Sequence, residues 1–576
     1  MKTLNCLTRF STLINISLIP ILLLSPFASA APTTPTPAQS QTLRSTVEPS
    51  RAAEAIAPKP SIEGPTLPPN MQIQMPHGQH LSPKVAKLRF TLKGLKVINP
   101  VIFSNEELIA PFQDYFGKNI SLGDLQDIAN CMTTRYQQEG YVLTQVIIPP
   151  QRIKDNVVML QVVPGFIDKV EVSGNINPEL KTLLENYGAK IETSKPLQIK
   201  DLERYTLLSN DIPGMKVHAV LKPSKKTPGA ADLLFISEQE TESAYISTNN
   251  YGTKYLGPKQ IVAGVEGNSY FRAGDSTELQ VVSSVNKEVN FAELRHTELI
   301  GDEGLNCGVF GQYLKTMPGS TLNPLHVKGK YTVLGTEFLY PFIRSRLQNL
   351  SFNAGFMFLE SKARVLGMPF YDDRIRPLYA GLTYNRLDDW QGFNQVELKL
   401  TEGLKIFGAS GNTNISRPHG KSAFTKVNST LSRFQPLPYQ FSFLLLAQGQ
   451  YSLRPLLIAE QYGYGGSALG RGYDPSEIIG DHGIAASAEL RYDIPPMLCE
   501  RLNTQLYAFY DAGKIWNRDA SLVPRIASAT STGLGFRLKI MSHLEANFFI
   551  AKPLTRKVAA SENRHMRTFF AIILKS

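Results

Sequence analysis

Cysteine is scarce in this chain, with four among 576 residues, too few for a scaffold built on disulfides. Cys6 falls in an N-terminal apolar segment. Cys131, Cys307 and Cys499 lack the spacing of a metal site, and a Cys307–Cys499 disulfide and three separate thiols both fit the pattern. Tryptophan is scarcer still, with two residues against 23 Tyr and 29 Phe; many aromatics with few helical blocks point to β-structure. Charge of one sign does not dominate. Lys and Arg number 60 against 49 Asp and Glu, and the excess of 11 is spread thinly without basic clusters interleaved with aromatics, so nucleic acid is not an expected partner. Signatures of catalysis are missing too. No H-E-x-x-H, C-x-x-C or phosphate-binding glycine loop occurs. Gly465-Gly466-Ser467-Ala468-Leu469 lacks the second glycine of a nucleophile elbow, and His482 has no evident Ser or Cys partner. No enzyme, cofactor or metal is expected, and Asp481 and Asp511 read as structural carboxylates.

Long apolar runs are confined to the start. Lys2 and Arg9 flank an apolar stretch over 13–27, Ala28-Ser29-Ala30 offers a small-x-small cleavage site, and Pro32, Pro35 and Pro37 follow. This is an export signal over 1–30, with Pro20 and the short length arguing against an anchor. Beyond it no window holds 18 consecutive apolar residues. If the mature chain enters a membrane, it does so as a closed barrel, because unpaired backbone groups are intolerable in hydrocarbon.

What is present falls into four regions. Residues 31–87 are rich in Pro, Ala, Ser, Thr and Gln and form a linker, within which 50–57 (SRAAEAIA) could make two helical turns. Residues 88–164 read β-α-α-β-β: a strand at 88–92, a helix opened by the capping box Ser104/Glu107 and kinked at Pro111, then a second helix after Ser121/Asp124. In that second helix Leu125, Ile128, Ala129, Met132 and Tyr136 share one face, and Gly140 ends it. Strands follow at 141–148 and 157–163. Residues 165–239 repeat the plan, with a strand at 166–172, helices at 178–187 and 199–210, and strands at 215–221 and 233–237.

From 240 to 576 the helical period disappears. Leu350, Phe352, Ala354, Phe356 and Phe358 alternate with Ser351, Asn353, Gly355 and Met357; Val396, Leu398 and Leu400 alternate with polar residues, as do Leu534, Phe536, Leu538 and Ile540. A soluble sandwich has the same period. Charged residues on the polar face of long strands, behind an export signal, favour a membrane barrel with a wet lumen. The length suits about 16 spanning strands with their connections.

Several motifs carry a family resemblance. Residues 88–164 hold Phe103-Ser104, Tyr115-Phe116-Gly117-Lys118, Gly140-Tyr141, Ile148-Pro149-Pro150-Gln151 and Val162-Val163-Pro164-Gly165. The barrel half holds Glu460 to Gly466, Leu469-Gly470-Arg471-Gly472-Tyr473, Gly480-Asp481-His482-Gly483, Glu489-Leu490-Arg491-Tyr492 and Phe509-x-Asp511-x-Gly513. Residues 88–576 thereby resemble two-partner secretion transporters of the ShlB/FhaC/HecB haemolysin secretion/activation family, in the BamA-like superfamily.

The resemblance implies two periplasmic polypeptide-transport-associated (POTRA) domains, 88–164 and 165–239, ahead of an outer-membrane β-barrel over 240–576. It implies a lumen loop, Gly470, Arg471, Gly472 and Tyr473, facing the wall motif Phe509, Asp511 and Gly513. The implied function is export of an unfolded exoprotein of the haemolysin or adhesin type. Its targeting region, β-helical in kind, would be captured by the first POTRA domain in a groove between helix 125–136 and strand 141–148, lined by Leu125, Tyr136, Tyr141, Leu143 and Val146. Expected partners are that exoprotein and outer-membrane lipid, and the expected state is a monomer. An assembly or insertase factor is the alternative, disfavoured by having two POTRA domains rather than a longer series; a passive porin needs no polypeptide-binding module. Three departures stand out: Gly470 replaces a branched apolar residue, the chain ends on Lys575-Ser576 rather than an aromatic, and any N-terminal plug helix is short.

The lumen pairing also has a physical basis apart from the resemblance. In a period of two, Gln505, Tyr507, Phe509, Asp511 and Gly513 share the polar face. A carboxylate there calls for an arginine fork, Gly472 permits a close backbone approach or a positive φ, and Tyr473 can stack near Phe509 or Tyr507.

Overall fold

Two serines set the start of the first small domain's helices in the computed structural model, which describes residues 48–56, 72–73, 83–227, 229–495, 502–519 and 524–576. The export segment, most of the linker and Cys499 lie outside the described residues. Ser104 accepts from the Glu107 amide at 3.2 Å while Glu107 accepts from the Ser104 amide at 2.8 Å; Ser121 and Asp124 do the same at 3.1 and 2.7 Å. The helix Asn105–Ile109 gives way to a 3₁₀ turn, Ala110–Tyr115, with Pro111 in its first turn, where a missing amide costs nothing. The helix Leu122–Gln138 buries Leu125, Ile128, Ala129, Met132 and Tyr136, the whole face that the spacing predicts. Leu125, Ile128 and Met132 each contribute about 1.5–3 kcal/mol on burial.

These helices cover a three-stranded sheet in the order Gly94–Ile98, Val157–Val163, Gln145–Ile147. The first of these strands is missing from the sequence reading. The expected strand over 141–148 is mostly turn, with only Gln145–Ile147 extended. Gly140 at φ +89° turns the chain, and Leu143 leaves the first domain to join the core of the second. Beyond Ile147, Pro149 and Pro150 have no amides to pair. The Gln151 side chain takes over, accepting from the Met159 amide at 2.8 Å and donating to its carbonyl at 2.7 Å.

The second domain packs the helices Pro178–Glu192 and Ile199–Asp211 on the strands Met215–Pro223, Ala230–Gln239 and Phe166–Ser173, and Gln72–Ile73 of the linker adds a parallel strand at the Met215–Pro223 edge. It is bolted to the barrel. Glu303 accepts from Lys190 at 2.9 Å, Arg204 at 3.1 Å and Tyr205 at 3.2 Å, and Arg344 donates to Asp211 at 2.6 and 2.7 Å.

Among the described residues sixteen antiparallel strands close the barrel, one of them interrupted at Arg376 between Met368–Ile375 and Pro377–Leu387. The first strand, Glu242–Asn249, pairs with the last, Arg567–Lys575, and the Ser576 amide continues the seam by donating to Ala244 O at 2.9 Å. The unusual Lys575-Ser576 ending thus takes part in closure. Ile246, Leu279, Leu334, Leu398, Leu431 and Leu534 face outward and exposed, forming the apolar belt, while their strand neighbours face the lumen. Cys131 and Cys307 are free thiols.

Candidate functional site

The connection 453–481, between the strands Phe441–Ser452 and His482–Ile494, folds into the barrel. A small hairpin, Tyr462–Tyr464 with Ile478–Gly480, stiffens it, and Tyr464, Leu469, Tyr473 and Ile478 pack on the wall residues Ala485, Ile515 and Ala529. At its tip Arg471 meets Asp511, which is wholly buried. The arginine donates to Asp511 from Nε at 3.0 Å, Nη2 at 2.8 Å and its amide at 2.9 Å, and the Gly470 amide adds a fourth bond at 3.1 Å. Nη2 also donates to Ser487 Oγ at 2.8 Å, and Nη1 pairs with Glu489. Its guanidinium lies 3.5 Å from the Phe509 ring centroid. Every nitrogen of the fork therefore has an acceptor, and one ring face carries it.

Sequence reasoning brings together Arg471, Phe509 and Asp511, and the structure does the same. It adds Glu489, which is absent from the expected set. Glu489 is 3% exposed and binds Arg491 at 2.8 Å and Arg537 at 2.9 Å as well as Arg471. The signal was its lumen-face position in Glu489-Leu490-Arg491-Tyr492, directly across from Phe509.

Tyr473 is a correction. It does not stack on Phe509 or Tyr507; those two rings stack on each other, with Arg471 over Phe509 and Arg537 over Tyr507. Instead it packs 6.5 Å from Tyr464, centroid to centroid, and donates to Thr530 O at 3.0 Å.

The glycines divide the work. Gly470 has φ +76°, and a Cβ there would sit 2.8 Å from the Tyr464 ring, which accounts for glycine in place of a branched residue. At Gly472 the backbone passes so close to the wall that a Cβ would meet the Ser531 Cβ at 2.8 Å, and Gly513 makes room for the Tyr464 ring.

A second piece of the chain's own fills the lumen. The helix Pro49–Ile56 lies inside the barrel, its Ala52 and Ala53 buried against Val282, Val289, Phe291 and Leu314. Glu48 bonds Ser361, and Arg51 donates to Ile458 O on the inward-folded loop. Plug and loop therefore touch.

The expected capture groove is not a groove. Leu125, Tyr136, Leu143 and Val146 are at most 5% exposed and belong to the two domain cores, and Tyr141 is half-buried, its hydroxyl accepting from Gln198 at 2.9 Å. The outward amide of Val146 already donates to Thr133 Oγ1 at 2.9 Å. The helix lies so close to this short edge that no space remains for a strand.

A barrel whose lumen holds an arginine-locked loop, set behind two domains built as a repeated α+β unit, defines an outer-membrane polypeptide transporter. The profile for "Haemolysin secretion/activation protein ShlB/FhaC/HecB" matches residues 234–538, more than half of the chain, which therefore belongs to this family. The ShlB-type POTRA profile matches residues 90–165. The heme/hemopexin transporter protein HuxB of Haemophilus influenzae strain 86-028NP is 26% identical over 508 residues, covering 85% of this chain and 88% of that protein. The outer membrane transporter CdiB of Dickeya dadantii strain 3937 is 20% identical over 452 residues, 74% of this chain and 76% of its own length. The solved CdiB of Escherichia coli superimposes with a TM-score of 0.69 at 15% identity, covering 95% of this chain and all of that one, and the Acinetobacter baumannii CdiB scores 0.63 at 16% with the same coverage; these two bear on the fold. The chain is a transporter of the two-partner secretion kind rather than an enzyme, works with a secreted exoprotein, and lies in the outer membrane with its POTRA domains in the periplasm.

Proposed function

We propose that the POTRA domains capture one unfolded exoprotein, of the haemolysin or adhesin type with a β-helical targeting region, and that the barrel lumen conducts it to the cell surface. The observation that carries this reading is the lumen itself: a polar-walled pore, shut by an eight-residue helix and a salt-bridged loop, both held by contacts that can be exchanged. Opening requires displacing both, and an arriving chain supplies competing contacts. With no nucleotide motif in the sequence, folding outside makes the passage directional. The closed sheet leaves no free strand edge, which supports a monomer.

Capture by strand addition falls where Gln151 already imitates a strand. Its side-chain amide makes the same pair of bonds to Met159 that an incoming backbone would make. The test is binding of the exoprotein's N-terminal region to the full-length protein in detergent. Met159→Pro removes the amide that faces Gln151 and should weaken binding; unchanged affinity in a folded variant places capture elsewhere.

A further inference from the structure

The extracellular rim of the barrel carries a cleft outside the Arg471 lock and the POTRA domains; two of its lining residues, Gln450 and Asn517, are buried on the lumen side, where they bond the inward loop. The cleft has a volume of about 610 Å³ and lies at the extracellular ends of the strands Phe441–Ser452, His482–Ile494 and Leu502–Trp516, lined by Tyr451, His482, Ile484, Trp516, Arg518 and Arg525. Tyr451 and Ile484 are 58% and 55% exposed, on the face opposite the lumen. Below them the wall is apolar, with Leu445, Leu490, Leu506 and Leu534 all exposed. The cleft therefore sits at the upper rim of the belt, at the height of outer-leaflet headgroups, where aromatic side chains are at home.

Its charge is one-sided. Lys514 shares the outward face, its ammonium 5.2 Å from the Trp516 ring centroid. Among the described residues neither Lys514 nor Arg525 has an acidic partner. Arg518 donates to the Ser452 carbonyl at 2.9 Å. The Ser452 amide donates to His482 Nδ1 at 3.3 Å, leaving Nε2 as the donor of a neutral ring. Nearby acids are engaged: Asp481 is wholly buried in a fork from Arg417, and Asp519 lies by His419. Unpaired cations beside aromatic rings at a lipid boundary match an anionic group carried on an amphiphile.

We propose that this cleft binds the phosphorylated sugar headgroup of an outer-leaflet glycolipid. Arg525 and Arg518 present guanidinium forks suited to phosphate oxygens, Lys514 adds a point charge, and the acyl chains lie along Ile484, Ile526 and Leu534.

The protein contains its own probe, since Trp390 and Trp516 are its two tryptophans. Trp390 is 79% exposed in the turn before Phe393–Gly403 at the periplasmic end. In a Trp390→Phe background of the full-length protein in neutral detergent, Trp516 emission is followed while bisphosphorylated lipid A, dephosphorylated lipid A or inorganic phosphate is added. The expected result is a saturable shift with the bisphosphorylated lipid. Affinity should fall about tenfold or more for the dephosphorylated lipid and for Lys514→Gln with Arg525→Gln, the value of one lost charge-assisted hydrogen bond. Arg525→Gln alone, on a side chain with no hydrogen bond among the described residues, is the second variant, and heat-dependent gel mobility confirms a folded barrel in each. The proposal is overturned if bisphosphorylated lipid A gives no shift, if the dephosphorylated lipid or both variants bind equally well, or if inorganic phosphate alone reproduces the shift over the same concentrations, which would mark a free-anion site.

Discussion

Arg471 commits its whole fork at once, to Asp511, Glu489 and Ser487. Truncating it leaves Asp511 buried without a cation, a loss on the order of 3–5 kcal/mol for a well-buried pair and less where water reaches it. The strand ladder does not depend on this pair. Arg471→Ala should therefore reach the surface in normal amounts and fail to secrete, as measured by surface labelling beside exoprotein in the medium. Arg471→Lys should not rescue, because one ammonium cannot match a fork shared between two carboxylates. Asp511→Asn should loosen the loop more than Glu489→Gln, since Asp511 accepts four hydrogen bonds from the loop and Glu489 accepts one. Gly470→Val should impair the loop despite restoring a branched residue, because φ +76° and the Tyr464 ring leave no place for it; a penalty of about 1–3 kcal/mol is expected, read as greater protease sensitivity of the loop with an intact barrel. The Arg471–Asp511 pair was legible because the resemblance implies that the Arg471 loop enters the lumen and a period of two puts Asp511 on the polar face of its strand. Glu489 was not, because its part depends on cross-strand register, which exists only once the strands have paired.

Helices announce themselves through local chemistry, and the capping boxes at Ser104 and Ser121 illustrate this. The Ser104 amide and hydroxyl hold the Glu107 carboxyl below its ordinary range, and those of Ser121 do the same for Asp124. A carboxyl depressed in the folded state adds stability above its unfolded pKa, and that stability is lost as pH falls through the folded value. The POTRA pair, residues 83–239, has two cores of its own and should fold without the barrel. Its melting temperature should fall as pH drops below about 4.5, the range of unperturbed carboxyls, and Glu107→Gln with Asp124→Asn should flatten that dependence. A pH profile unchanged by the two substitutions would refute the role given to these caps. Strand limits were harder to read. The expected strand over 141–148 shrank to three residues because Leu143 is claimed by the neighbouring domain, a contact no local pattern reveals, and the capture groove built on it went the same way. Gly94–Ile98 passed unseen because it is five residues long, starts on a glycine and runs straight into Asn99-Pro100.

At the scale of the molecule, alternation along the strands and the length per strand made the barrel and its size readable. Of what fills the barrel, the loop was legible from its motif, whereas the plug was expected only as a short helix, since its seat in the lumen depends on shape rather than period. Its Glu48 and Arg51 bind the wall and the inward loop, so plug, loop and wall form one closed state. The central claim is that the exoprotein leaves through this lumen. The most direct test is to tie the plug in place: Glu48→Cys with Ser361→Cys, whose native side chains are joined by a hydrogen bond, bridged by a short bifunctional thiol reagent in a background without other cysteines. The bridged protein should secrete no exoprotein, while the unbridged double variant and the singly modified controls secrete. Undiminished secretion by the bridged protein would contradict passage through the lumen.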